Sequence, residues 1–265
     1  YTVIEKSGIR IGIFGLFGRS ATRDLIWDED IQVEDQVATA REIVKQLREK
    51  EKVDLIVCLS HSGTQTEGDS EDERLAEAVP EIDFIVSGHS HTILHQPIIK
   101  GNTIIGSAGC FGTHLGILKL DCQPGQRPVL ASYHLEEVSQ ELTPVPAIAE
   151  EINRYKKIVD REFLAETGYT YDQVLAESDY NLESYVSMRE NAVESGLGDL
   201  IADSFRAAVM KAEGEAGDYL HLAVHPLGEI RASLTAGNLE VDDVFQVLSL
   251  GQGIDRTIGY PLITC

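Results

Sequence analysis

Three histidines stand where two apolar segments end, in Leu59-Ser60-His61-Ser62-Gly63 and in Ser87-Gly88-His89-Ser90-His91. Imidazole nitrogen binds zinc, manganese, iron and similar ions. The glycine before His89 permits a sharp backbone turn, so two rings one residue apart can face one place. In open α/β sheets ligands bind outside the carboxyl ends of the parallel strands, which is where both clusters fall. The chemistry these residues predict is metal ligation, with His61, His89 and His91 converging on one sheet edge. His95 and His114 fall in nearby loops, while His134, His221 and His225 have no comparable spacing. Ser60-His61 does not read as a nucleophile and its base, because adjacent residues of an extended chain point opposite ways.

The elements that must position these rings follow from periodicity. Gly8 to Leu16 reads as a strand, and Tyr1-Thr2-Val3-Ile4 reads as sheet rather than as a natural chain start. A helix is predicted from about Glu34 to Lys50, with Val37, Ala40, Val44 and Leu47 on one face. Val53 to Leu59 and Asp83 to Val86 are near-continuous apolar strands separated by a helix near Ser70 to Val79, the pattern of a parallel sheet covered on both faces. Segments Asn102 to Ser107, Leu115 to Leu120 and Val129 to Glu136 have strand character without long helices between them. They predict a β-rich second layer, hence a sandwich of sheets with outer helices. Gly8, Gly12, Gly15 and Gly18 do not open a helix, so they read as close strand packing rather than a phosphate-cradling loop.

Leu142-Thr143-Pro144-Val145-Pro146 marks a boundary, since proline resists both helix interior and central strand. The division read from it is residues 1–141, a linker with a charged connecting helix over 142–167, and a second unit over 168–265. Within that unit a strand from Tyr169 to Glu177, a helix from about Gly198 to Lys211, a strand at Tyr219 to Val224 and a short helix near Val241 to Leu248 are predicted.

Composition narrows the functional classes. With 44 acidic against 22 basic residues the formal charge is −22, which repels nucleic acid and anionic membranes. A small anionic substrate would need a locally positive pocket, which divalent cations and one or two arginines can supply. The longest apolar runs are too short to cross a bilayer, so no membrane span is predicted. Four cysteines, Cys58, Cys110, Cys122 and Cys265, form no Cys-x-x-Cys pair, and Cys58 reads as a small core residue.

The ordered motifs resemble a known family. Leu59 to Gly63 and Gly88-His89-Ser90-His91-Thr92 look like the second half of a calcineurin-like metallophosphoesterase domain. Glu194-Ser195-Gly196-Leu197-Gly198-Asp199-Leu200-Ile201-Ala202-Asp203 is similar to the Glu-Ser-Asn-Leu-Gly-Asn-Leu-Ile-Ala-Asp signature of the 5'-nucleotidase C-terminal domain. Gly228-Glu229-Ile230-Arg231 resembles the end of that domain's Asn-Gly-Gly-Gly-Ile-Arg loop, and Val244 to Gly251 with Gly259-Tyr260-Pro261-Leu262 fits bacterial members. The resemblance implies an α/β fold: the C-terminal half of a metallophosphoesterase β-sandwich flanked by helices, followed by an incomplete α/β 5'-nucleotidase C-terminal domain.

The same resemblance implies two divalent metal ions, zinc, manganese or similar, with His61 and His89 on the second ion and His91 on the first. It implies hydrolysis of a small-molecule phosphate ester, most naturally a nucleoside 5'-monophosphate, and a periplasmic, cell-envelope or secreted address. The family's Asp-x-His, Gly-Asp and Gly-Asn-His-Glu motifs have no counterpart here, so no catalytic residue is assigned and these residues alone are expected to hydrolyse little. Arg231 matches a phosphate-binding arginine, Arg189 is the nearest counterpart of a second, and Gly228 lies in the substrate loop. Leu250 stands where nucleotidases place a base-stacking phenylalanine. Because Pro226, Leu227 and Glu229 replace the loop's asparagine and glycines, the alternative is a non-catalytic nucleotide-binding or surface protein that retains the fold.

Overall fold

A computed structural model describes residues 1–24, 32–65, 69–139, 141–182, 194–214 and 220–249. The chain divides into two compact units, Tyr1–Thr143 and Pro144–Cys265. Arg189 and Leu250 lie outside the described residues, as does the segment from Gly259.

The first unit is built on a six-stranded sheet. Its strands are β1 (Thr2–Lys6), β2 (Ile9–Phe17), β3 (Leu55–His61), β4 (Phe84–Ser87), β5 (Ile98–Lys100) and β6 (Thr103–Gly106), in the order β1-β2-β3-β4-β6-β5. Strands β2, β3, β4 and β6 run parallel, and the hairpin partners β1 and β5 run antiparallel at the two ends. Ser7 and Gly8 both take positive φ in the two-residue loop joining β1 to β2, the geometry that matches strand twist in a tight hairpin. Thus the α/β class holds, with one reassignment: the run from Asn102 extends the main sheet instead of joining a second layer. A continuous apolar run does not announce which sheet it enters, and all four residues of β6 are buried. Strands β7 (His114–Asp121) and β8 (Val129–Glu137) pair antiparallel as a separate two-stranded sheet.

Helix α1 (Gln36–Glu49) starts where the Asp35 side chain accepts from the Ala38 N–H, a side-chain cap on an otherwise unpaired donor. It buries Ala40, Val44 and Leu47, the face read from the sequence. They join Phe14, Ile56, Cys58, Ile85 and Ile105 in one core, each large side chain contributing roughly 1.5–3 kcal/mol. Gly12 makes the helix fit. A Cβ there would stand 2.8 Å from a Leu47 methyl, so at this glycine the helix packs closely on the strand. Helix α2 (Glu71–Ala78) follows β3 and completes the unit.

The second unit holds α3 (Pro146–Val159), continued by a π turn over Asp160–Leu164, then β9 (Val174–Ser178), α4 (Gly196–Glu213), β10 (Gly237–Glu240) and α5 (Val241–Val247). β9 and β10 pair antiparallel. The strand read over Tyr219 to Val224 is absent among the described residues 220–224, and β10, which was not read from the sequence, is the partner of β9. Leu197, Ile201, Ile230, Leu234, Leu239 and Val247 form this unit's core.

Candidate metal and substrate sites

The parallel register ends by pairing Ser60 with Ser87, and the histidines lie just beyond that rung. Alternation along β3 buries Ser60 and exposes His61, so the two side chains take opposite faces as the sequence requires. His61 stacks flat on Phe17 from the end of β2, with ring centroids 5.5 Å apart. Its other neighbour is His89, whose ring centroid lies 4.9 Å away. His91 meets the edge of Phe111 at 5.5 Å. The structure therefore brings His61 and His89 together, and the His91 ring packs on Phe111. Among the described residues no group of three or more histidine, cysteine, aspartate or glutamate side chains is arranged to hold one ion.

The spacing of the pair suits a shared ligand. A histidine nitrogen binds zinc at about 2.0–2.1 Å, which puts the ring centre about 3.2 Å from the ion. Two rings on one ion, at right to tetrahedral angles, then stand roughly 4.5–5.2 Å apart, and the observed 4.9 Å falls inside that interval. In spacing, the two imidazoles match part of a metal centre.

The backbone carrying these rings is held out of its ordinary range. His89 has φ 71°, His91 φ 57° and Phe111 φ 56°. Left-handed conformations at non-glycine residues are disfavoured by order 1–3 kcal/mol each and persist only where surroundings over-determine them. Those surroundings are visible. Ser90, between the two histidines, donates to the Thr64 carbonyl at 2.7 Å and accepts from the Thr64 N–H at 3.1 Å. Thr92 donates to the same carbonyl at 2.6 Å, and Ser107 donates to the Thr92 carbonyl at 2.6 Å. Gly18 lets the neighbouring loop approach, since a Cβ there would run into the Ser62 backbone.

Beneath the pair lies a polar network that sequence reasoning missed. Asp72, fully buried in α2, accepts from Ser60 at 2.6 Å and from Ser87 at 2.5 Å. Ser60 Oγ also lies 2.7 Å from Ser62 Oγ, which accepts from Gln36. With the single Ser60 proton on the carboxylate, Ser62 must donate to Ser60, so the chain of donors runs from Gln36 to Asp72. Burial pushes the Asp72 carboxyl up to about 6, against the lowering effect of the Ser60 and Ser87 hydroxyls, with Glu73 and Glu71 adding to the rise. In the sequence Ser70-Glu71-Asp72-Glu73 reads as an ordinary acidic helix start. Only the register of β3 and β4 reveals its role. Burial and the Asp72 charge both raise the Cys58 thiol, which is the inert core residue anticipated.

His114 is half-buried, contacting Thr113 Oγ1 at 3.0 Å through Nδ1, and His95 is exposed. His134 lies 3.3 Å from Glu136 on β8.

In the second unit the signature residues have structural jobs. Ser195 caps α4 by accepting from the Gly198 N–H at 3.1 Å. Leu197 and Ile201 anchor α4 in the core beside Ile230. Burying Ile230 fixes the place of Arg231, whose N–H donates to the Val247 carbonyl at 2.8 Å and whose Nη1 donates to the Gly228 carbonyl at 3.3 Å. Residues Leu227–Glu229 form a 3-10 turn in which Gly228 is exposed. His225 leads into this turn and contacts the Phe205 ring at 5.2 Å. Burial pushes its imidazole below the ordinary value, partly opposed by the Glu229 charge.

The chain is similar to several known proteins. Residues 174–257 match the family model "5'-nucleotidase, C-terminal domain". The chain is 27% identical over 260 residues to the trifunctional nucleotide phosphoesterase protein YfkN of Bacillus subtilis, across 95% of this chain and 16% of that protein. It is 34% identical over 95 residues to the metallophosphoesterase YunD of the same organism, across 35% of this chain and 20% of the other. A crystal structure of a 5'-nucleotidase precursor from Thermus thermophilus superimposes with TM-score 0.69 at 26% identity, covering 95% of this chain and 49% of that one. The chain thus spans less than half the length of each of these proteins. Residues 174–257 are thus similar to the C-terminal domain of 5'-nucleotidases, and likeness to a solved 5'-nucleotidase runs along 95% of the chain.

Proposed function

We propose that this protein, at its full natural length, hydrolyses small phosphate esters, nucleoside 5'-monophosphates foremost, with two bound divalent ions such as zinc or manganese. The observation that carries the reading is the His61–His89 pair, 4.9 Å apart at adjacent strand ends. His61 and His89 hold one ion, and His91 contributes to the other. When bound, such ions stabilise charge on the transferring phosphoryl group and lower the pKa of an attacking water. Arg231 presents a guanidinium fork to substrate phosphate, steadied by the Gly228 carbonyl. Arg189 would add a second cation, and Leu250 would pack on the base. Two imidazoles are fewer than the three protein ligands of a catalytic zinc, so the 265 residues by themselves are expected to turn over little. Names of relatives, nucleotide phosphoesterase and metallophosphoesterase, support the reaction class. An extracytoplasmic address is carried by the family resemblance.

The test is release of phosphate from AMP by the metal-loaded full-length protein. Removing His89 as His89→Ala should lower kcat/KM roughly 100-fold or more, and a chelator should abolish turnover until zinc or manganese is returned. Equal turnover after His89→Ala would overturn the reading.

A second reading is favoured by one observation: Glu229 shares the exposed turn of Gly228 and is a residue that repels phosphate. It makes the protein a non-catalytic binder. Thermal-shift measurements with adenosine, AMP and phosphate separate the two, since a ligand of the native state raises its apparent stability. Stabilisation by AMP without turnover would favour the binder.

A further inference from the structure

We infer that Asp72 is a positioning residue whose carboxylate ties the ends of β3 and β4 together and so sets the spacing of His61 and His89. The inference rests on the proposal that this pair holds a divalent ion. Ser60 and Ser87 are the last paired residues of the two strands, and the Gly88 N–H to Ser60 carbonyl bond of 2.9 Å is the final backbone link between them. Beyond that rung the link between the two strand ends passes to side chains, with Ser90 and Thr92 bonding the Thr64 backbone on one side and Asp72 bonding both strands on the other. Paired residues of a ladder share a face, which lets one carboxylate reach both hydroxyls, Oδ1 to Ser60 and Oδ2 to Ser87. Ser60 immediately precedes His61, and Ser87 stands two residues before His89. A displacement of either strand end is therefore passed directly to a ring.

The chemistry of the network fits this job better than it fits packing. Asp72, Ser60 and Ser87 are all buried, and an unneeded carboxylate in that place is an expensive core residue. Both its oxygens are taken by short bonds from the two strands that carry the histidines. The chain of donors from Gln36 through Ser62 then adds α1 to the same clamp. Groups around a metal site that orient its ligands without touching the ion typically alter metal affinity when removed.

The experiment uses the full-length protein with 13C-labelled histidine, comparing wild type with Asp72→Ala and Asp72→Asn. In metal-free protein the close rings of His61 and His89 should give an interproton NOE. Asp72→Ala should lose that cross-peak and bind zinc roughly 10- to 100-fold more weakly, measured by competition titration on folded protein. Asp72→Asn should keep the cross-peak and most of the affinity, because an amide still accepts from one serine and donates to the other. If Asp72→Ala proves unfolded, the paired variant Ser60→Ala with Ser87→Ala is read in its place, with the same loss expected. A folded Asp72→Ala with wild-type cross-peak and zinc affinity, its only defect a lowered melting temperature, would overturn the inference. If the wild type binds no zinc, the metal reading falls on its own, and the cross-peak alone still decides the role of Asp72.

Discussion

At the scale of residues the decisive contrast is between the accessible imidazoles, His61 exposed and His89 half-buried, and the buried carboxylate beneath them. Asp72 is raised from 3.8 to about 6 by burial. Between those values the folded protein keeps a proton that the unfolded chain has lost. The contribution of Asp72 to stability is fully present below about pH 4 and falls as pH rises to about 6, by roughly 3 kcal/mol at most. Asp72→Asn stays neutral throughout. In metal-free protein, the unfolding free energy of wild type minus that of Asp72→Asn should therefore decline across this window and level off above it. A difference that rises or stays flat would contradict the assignment. On the substrate side, Arg231→Lys keeps the charge but loses the fork, so KM for AMP should rise about tenfold with a smaller change in kcat. An unchanged KM would remove Arg231 from phosphate binding.

Residue types in the sequence made the His61–His89 pair legible because both follow apolar runs that had to be parallel strands. The contact of His91 with Phe111 was not legible, since Phe111 arrives twenty residues later in a loop with left-handed backbone. Asp72 was hidden for the same reason: its function depends on which serines face one another across two strands.

At the scale of elements, α1, α2, β3 and β4 sit within about two residues of where periodicity puts them, because each has one clearly apolar face or run. β10 was missed, for Gly-Asn-Leu-Glu carries only one apolar side chain, and it forms because β9 offers it a partner. The helices that anchor the sites should be sensitive to truncation. Leu47 is fully buried and fills the space left by Gly12, so Leu47→Ala should lower the stability of the first unit by about 2–5 kcal/mol. Leu197→Ala should do the same for the second unit by emptying the anchor of α4 beside Ile230. Denaturant titration reads both. A loss below about 1 kcal/mol in either would mean the core is not arranged as described.

At the scale of the whole molecule, a chain of charge −22 has to recruit an anion through local chemistry. In the proposed reading, cations held beside the histidines and Arg231 in the second unit would be the means. Duplex DNA or RNA should therefore not be retained by this chain in a gel-shift assay at physiological salt, and micromolar binding would contradict that reading of its surface. No helix among the described residues is long and apolar enough to cross a membrane. The central claim concerns one place in this molecule, the gap between two imidazoles. Anomalous diffraction from crystals of the full-length protein grown with zinc tests it directly. A peak above the zinc edge within about 2 Å of a ring nitrogen of both His61 and His89 is the expected result, and a fully zinc-loaded protein with no peak between those rings would contradict it.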